Sequence, residues 1–535
     1  MRKSFMNTLA VVATMVFAVV VAVPASAGVN VNNGNYYVAN TDFFLPTSGL
    51  NVEIARTYNS RSSYVKGYFG IGWSSEIEGY LDIKGAKIDF YEGGGGNIVS
   101  FNKDKQGNWI NSLYGLQTIR KDKQGNYYLT SALGKIIGFN GQGKMISLAD
   151  VNGNKISLNY KDGLVSMLQD NFNNQVKFSW KKFGTHSRIV RIERDELKAS
   201  FNYSPIGNLI KAVGVDAVPY SYDYDEEHNL TKITYANGEY KEMKYNKSRD
   251  WITQFRDRSG FVTEYDYFSD SLDPENKFGT IVSRYQEGSQ NREFSKFWYE
   301  FRKRADGSKF NYRSVTSISN VVTETLFTEC CGTPLVVSQW PDSTKGVSKQ
   351  KLDWTVAKSN KTSTYFEYFP DGLLKKKTSA NGIVTALTYD PKHKKVASVQ
   401  RGSRKISYGY DAKGNLQSAY DFADKRNLQL NYDAEGRISV VNETVGAGKA
   451  LAKRQVYFRY DGNGRPIEIK EKTKTSEGII KMKYAANGEV IGVYNSQGRE
   501  IASEKDMETA RAVTNTFQNL LEIVQPAGVT LGPEG

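Results

Sequence analysis

The chain has 535 residues and 71 Lys and Arg against 57 Asp and Glu, a formal charge of +14, so it is long enough for a large core or several ordinary domains. That charge attracts anionic partners in a salt-dependent way, but it is a field spread over a surface and not a recognition motif. The three histidines, His186, His228 and His393, stand far apart, so no metal-ligand or catalytic-triad spacing can be read and no cofactor is expected.

Taken in chain order, Arg2 and Lys3 precede an apolar run from Leu9 to Val23 and then Ala25-Ser26-Ala27, the three parts of a secretory signal. Residues 1–27 are expected to be removed, leaving a mature chain that begins near Gly28. No second apolar run follows, so no transmembrane helix is expected after cleavage, and the predicted destination is the periplasm, the cell surface or the medium. Residues 28–101 form an N-terminal module.

Residues 102–268 and 352–500 carry a repeat, and a repeat decides a fold before any single motif does. An aromatic residue, usually Tyr followed by Asp or Asn, is followed four residues later by Gly-Asn, Gly-Arg or a similar pair, and then by an apolar residue. Three clean copies begin Tyr410-Asp411 with Gly414, Tyr432-Asp433 with Gly436, and Tyr460-Asp461 with Gly464. A fourth begins at Tyr494, and weaker ones include Tyr203, Tyr224, Tyr245 and Tyr389, with starts at 203, 224 and 245 spaced 21 apart. In each unit an alternating strand ends at Tyr-Asp, the Asp-x-x-Gly segment turns the chain, and a second strand begins at the apolar residue. Asp bonds backbone amides within such a turn and Gly supplies the positive φ; the aromatic is expected to form a wall.

Between the two repeat regions, residues 269–351 read as an irregular connecting region with loops at Asp273-Pro274 and Pro341-Asp342. This region holds the only two cysteines, the adjacent Cys330 and Cys331. In an oxidising compartment a strained vicinal disulfide, an intermolecular link and two buried thiols are all open, with a local structural role favoured over redox chemistry. Residues 501–535 change period. Met507, Ala510, Val513, Phe517, Leu520, Leu521 and Val524 recur at three to four residue intervals, which predicts an amphipathic helix over Ser503 to Val524 that ends before Pro526.

The N-terminal stretch holds Thr41-Asp42-Phe43-Phe44-Leu45-Pro46, Arg56-Thr57-Tyr58-Asn59-Ser60-Arg61 and Phe69-Gly70-Ile71-Gly72-Trp73. With the Tyr-Asp units it resembles the RHS or YD-repeat proteins. That resemblance implies an all-β fold of antiparallel hairpins wound into a long spiral sheet, a partial or closed hollow shell, which in longer relatives encloses a C-terminal toxin. Only a short tail follows the last repeat here, and no D-P-x-G-type self-cleavage junction is visible, so the resemblance is to the scaffold without the toxin.

No constellation singles out chemistry. Asp150-Val151-Asn152-Gly153-Asn154 and Asp461-Gly462-Asn463-Gly464 have oxygen donors around glycine, but Lys161 and Lys472 stand where a calcium loop needs Glu. Gly93-Gly94-Gly95-Gly96 lacks the Gly-Lys-Ser/Thr of a phosphate loop and reads as a flexible hairpin tip. His228 takes a turn-glycine position. The basic stretch from Lys375 to Arg404 falls in strand and turn sequence and reads as a solvated face.

Three functions are carried forward. The first is a non-enzymatic exported scaffold that meets the cell surface, anionic envelope polymers or another protein, with nucleic acid unfavoured as a partner. The second is a shell-like carrier for a separately encoded cargo or toxin. The third is a polysaccharide hydrolase, which abundant carboxylates allow but no motif marks.

Overall fold

The computed structural model describes residues 27–62, 66–111, 117–131, 134–305, 307–330, 332–342, 361–446, 451–485 and 490–500. All regular structure among them is β apart from two single-turn 3₁₀ segments, Ser60–Ser62 and Glu76–Glu78. The helix expected over Ser503 to Val524 lies outside the described residues and is not borne out by the described chain. The signal segment 1–26 also lies outside them.

The repeat explains the strands. In Arg426–Tyr432, Leu428 and Leu430 are buried while Gln429 and Asn431, which alternate with them, face away, the period-two alternation of a strand with one covered face. Tight turns then return the chain antiparallel, so each strand pairs with its sequence neighbours. From Tyr80–Lys84 to Val490–Tyr494, thirty-six described strands follow one another in a single antiparallel order.

The two ends of this sheet are not joined. Tyr80–Lys84 pairs along its length with Lys87–Tyr91, and Val490–Tyr494 with Glu477–Tyr484, but no register links the end strands to each other among the described residues. Instead, the first strand curls back onto its own sheet through the bridge Tyr80↔Lys144 and the bond from Leu81 N–H to Gly143 O at 2.8 Å. The sheet is therefore an open spiral.

Residues 269–342, which read as irregular, continue the same sheet in their described part. Lys277–Gln286, Glu293–Lys303 and Lys309–Ile318 are ten or eleven residues long, longer than their neighbours in the repeats. They lack the Tyr-Asp signature because other turns join them: Ser319 and Asn320 both adopt positive φ, 50° and 64°, at one hairpin tip. Asp273-Pro274 does lie in a loop, between Phe261–Ser269 and Lys277–Gln286.

Residues 27–79 build a small four-stranded sheet of Ala27–Asn30, Asn35–Leu45, Val52–Asn59 and Trp73–Ser75. It shares one apolar core with the first half of the wall, running from Tyr36 and Ile54 through Phe139 and Leu209 to Ile252. A second, separate core belongs to the last repeats alone, from Ile406 to Val493. The tetraglycine 93–96 is no free tip, because Gly94 N–H donates to Ser74 Oγ and Asn59 Nδ2 donates to Gly94 O, which ties it to the module.

Candidate functional site

Two sets of residues do the positioning in this molecule: the repeat turns and the joint between module and wall. In the turns, Asp411 Oδ1 accepts Lys413 N–H and Asn415 N–H, and its Oδ2 accepts Asn415 Nδ2. Asp433 holds Glu435 N–H, Arg437 N–H and Arg437 Nε in the same way, and Asp461 holds Asn463 N–H, Arg465 N–H and Arg465 Nε. Gly414, Gly436 and Gly464 each take positive φ. Partial burial raises the Asp411 carboxyl, but the donors from Asn415, Lys413 and Gly414 outweigh it and hold it below its ordinary range. Each carboxylate is thus saturated by its own turn.

The tyrosines do more than line a wall. Tyr410 OH donates to Val396 O at 2.7 Å, Tyr432 OH to Leu416 O at 2.6 Å, Tyr460 OH to Ile438 O at 2.6 Å and Tyr484 OH to Pro466 O at 2.8 Å. In every case the acceptor is the residue that opens the second strand of the preceding unit. The early repeats do the same with Tyr160 on Met145 and Tyr245 on Leu230, while Tyr203 bonds Ile189 O, three residues into the strand His186–Arg194. The residue closing a turn then covers the next ring: Arg437 Cζ lies 4.5 Å from the Tyr460 centroid and Arg465 Cζ 5.0 Å from that of Tyr484, within cation–π range. Burial, and next the Asp390 and Asp411 charges, push the Tyr410 and Tyr432 hydroxyls up to about 12, so both stay protonated donors at neutral pH. One repeat is therefore latched to the next by its hydroxyl and its closing cation.

The joint uses residues that the sequence shows only as a family signature. Arg56 is fully buried, its Nε donates to Asp42 Oδ2 at 2.7 Å and its Nη2 to Tyr222 OH at 2.6 Å. Its guanidinium also lies 4.4 Å from the Trp73 ring centroid. Burial works against the Arg56 charge, yet Asp42 and then Tyr222 more than offset it and hold the cation charged. Around it, Trp73 Nε1 donates to Tyr224 OH at 2.8 Å, Tyr58 OH accepts Leu230 N–H at 2.9 Å, and Asp42 O accepts Val215 N–H at 2.9 Å. A loop at the far side adds Ile189 N–H to Tyr68 O at 3.0 Å, and the Glu78 carboxylate fastens that loop by accepting Tyr68 N–H and Ser75 N–H. Burial pushes the Glu78 carboxyl up to about 8 despite those donors.

Other candidates are absorbed by structure. His228, at φ 68°, turns a repeat and meets Asn208 Oδ1 at 3.1 Å, while His393 meets Asp390 and Ala412 O. Asp150 is saturated by Asn152 and Asn154. Among the described residues no group of three or more His, Cys, Asp or Glu could hold a metal ion, and no helix is long and apolar enough to cross a membrane. Cys330 sits exposed on the turn joining Val321–Phe327 and Pro334–Pro341 and is disulfide-bonded; Cys331 lies outside the described residues. In the basic stretch, Lys376 pairs with Glu367, Lys394 with Asp371 and Arg404 with Asp421, while Lys392 and Lys395 donate to Ala412 O and Gly414 O. A cavity of about 570 Å³ opens on the wall beside Lys244, Gln254, Glu264, Ser283 and Arg292. There the Glu264 carboxylate pairs with Arg292 at 2.5 Å and accepts Tyr285 OH at 2.8 Å. Partial burial raises Glu264, but these donors hold it below the ordinary carboxylate range.

No curated protein matches the sequence. Among solved structures, TcdB2-TccC3 without its hypervariable C-terminal region aligns at 10% identity and a TM-score of 0.45, over 90% of this chain and 28% of its own. The Photorhabdus luminescens Tc holotoxin pore aligns at 10% identity and a TM-score of 0.44, over 87% and 27%. The chain thus spans less than a third of the length of either. A domain of unknown function, DUF6531, matches residues 26–101, and the Teneurin YD-shell matches residues 122–508, more than half of the sequence. The chain with the tyrosine-latched turns belongs to the teneurin YD-shell family.

Proposed function

We propose that this chain is a non-catalytic, exported shell scaffold that encloses a separately encoded polypeptide. The observation that carries the proposal is the winding: turns of the late repeats meet a turn made twenty-one to twenty-three strands earlier, where Asn415 Nδ2 donates to Asn152 Oδ1 and Asn154 Nδ2 to Glu435 O. At about 4.8 Å per strand, one coil of that many strands has a circumference of roughly 110 Å and is roughly 35 Å across between backbones. That is the scale of a polypeptide and not of a metabolite. Purification from the native source followed by mass spectrometry tests the reading. A stoichiometric passenger that resists protease only while the shell is intact is expected; a shell recovered without one from cells expressing its neighbouring genes would overturn it. Export is checked separately by sequencing the N-terminus of extracytoplasmic material, where residues 1–27 should be missing.

A second reading, attachment to anionic envelope polymers, draws on the formal charge of +14. Much of the basic stretch from Lys375 to Arg404 is spent on contacts within the sheet, so the binding would be diffuse and lost as salt is raised. Polysaccharide hydrolysis has less support, since it needs a carboxyl group kept protonated as general acid and Glu264, beside the cavity, is held ionised by Arg292.

A further inference from the structure

The late repeats meet an earlier coil edge to edge along a seam whose chemistry differs from that of the wall. Within the wall, neighbouring strands share ladders such as the seven registered pairs between Arg426–Tyr432 and Ile438–Val445. Across the seam no strand pairs with another among the described residues. Three turns of consecutive late repeats instead rest on the turn 150–154 and on the module loop 46–51. Their hydrogen bonds are Asn415 Nδ2 to Asn152 Oδ1 at 2.8 Å, Asn154 Nδ2 to Glu435 O at 2.7 Å and Ser48 Oγ to Gly462 O at 2.7 Å.

The fit is close. A Cβ on Gly436 would stand 2.2 Å from the Asn152 side chain, and one on Gly464 2.3 Å from Thr47 O. Gly436 therefore serves the approach to the earlier turn and Gly464 the approach to the module loop, as well as the positive φ of their own turns. The late repeats also carry a core of their own, Ile406 to Val493, apart from the core that unites the module with the early wall. A body with its own core, joined to the rest of the wall by the strand ladder at its start but held across the seam by a few neutral side-chain bonds, parts at the seam before either core opens.

We propose that the shell opens at this seam, with the late repeats swinging off the 150–154 turn and the 46–51 loop while the module stays bound to the early wall. Ser48, Asn152 and Asn154 are the latch, and the opening gives passage to the interior without unpairing a strand. The inference stands on the seam contacts and does not depend on any passenger being present.

The full chain with Cys330→Ser and Cys331→Ser provides the background for the test. Asn154 is buried, so Asn154→Cys, which itself removes the bond to Glu435 O, reports the opening of a seam short of one bond through its rate of maleimide labelling. Labelling about tenfold or more faster than global unfolding is expected under native conditions. Adding Ser48→Ala should speed it about fivefold, the effect of one hydrogen bond lost. A staple, Ser48→Cys with Gly462→Cys, should slow amide exchange across residues 406–493 when oxidised and restore it on reduction, and this arm decides alone if Asn154→Cys does not fold. Labelling no faster than global unfolding, or a staple without effect on exchange, would overturn the proposal. So would opening that first exposes residues 27–79, because the module and not the late repeats would then be the moving part.

Discussion

The buried pair Arg56–Asp42 offers the sharpest test of how the module is held. Asp42→Ala removes the only carboxylate bonded to a guanidinium that has no exposed surface. Truncating one partner of such a pair typically costs about 3–5 kcal/mol, because the remaining charge is buried and uncompensated. Here Tyr222 OH and the Trp73 and Tyr222 rings still face Arg56, and these contacts place the expected loss at the lower end, about 3 kcal/mol. Urea unfolding followed by tryptophan fluorescence measures it, with Trp73 beside the cation as a local reporter. Amide exchange should rise first over residues 27–79 and around Tyr222, Tyr224 and Leu230. The double replacement Arg56→Met with Asp42→Leu should recover most of the loss, since both charges leave together. A single variant costing less than about 1 kcal/mol, or a double variant as damaged as the single one, would refute the assignment of the pair as the main joint.

Three further outcomes are expected. Tyr432→Phe keeps the ring and deletes only the bond to Leu416 O, so it should cost about 1 kcal/mol, and Asp433→Ala, which frees three donors, about 2 kcal/mol, both read from urea midpoints. Glu78 has its carboxyl raised in the folded state from an ordinary 4.5 to about 8, so the folded chain binds the proton more tightly than the unfolded one. The stabilising contribution of that proton is complete below the unfolded value and is lost as pH rises through about 8, and Glu78→Gln should flatten this window in midpoints taken from pH 5 to 9. Finally, we propose that Cys330 and Cys331 are joined to each other. Thiol titration of the denatured, unreduced chain should find no free thiol, and peptide mapping should place the bond within one peptide; a disulfide-linked dimer on a non-reducing gel would contradict it.

The repeat was legible because its chemistry is local. Asp411, Asp433 and Asp461 bond amides two and four residues ahead, so a single turn contains its whole explanation. The tyrosine hydroxyl was not legible in this way, because its acceptor lies in the preceding unit. The signal was present all the same: the repeat uses Tyr far more than Phe, and a packed wall by itself would not distinguish them. At the joint the partners are remote, with Arg56 and Tyr222 166 residues apart in sequence. An Asp and an Arg set in the apolar strands Asn35–Leu45 and Val52–Asn59 hinted that a buried charge pair was being kept there. The stretch from 269 to 342 misled because strand pairing needs no Tyr-Asp turn, and long alternating strands without that turn read as irregular.

The two kinds of joint have different consequences for how damage spreads. In the wall each repeat leans on its neighbours, through the tyrosine latch and through ion pairs such as Arg426–Glu443 and Arg454–Glu471, so its stability is a sum of nearest-neighbour terms. A lesion at Asp433 therefore weakens the units that begin at Tyr410, Tyr432 and Tyr460 and leaves the early wall nearly untouched. The module breaks that rule. Through Tyr68, Asp42, Tyr58 and Gly34 it bonds backbone groups of Ile189, Val215, Leu230 and Ile252 at once, and so cross-links four separate hairpins that would otherwise communicate only through the sheet. Its loss should turn one cooperative block into several, seen as a broadened unfolding transition with a lower denaturant slope and not merely a lower midpoint. The late repeats have their own core, join the rest of the wall through the strand ladder and meet the module through Ser48 at the seam. They should therefore unfold with nearly the same midpoint whether the module is present or not, apart from the contribution of Ser48.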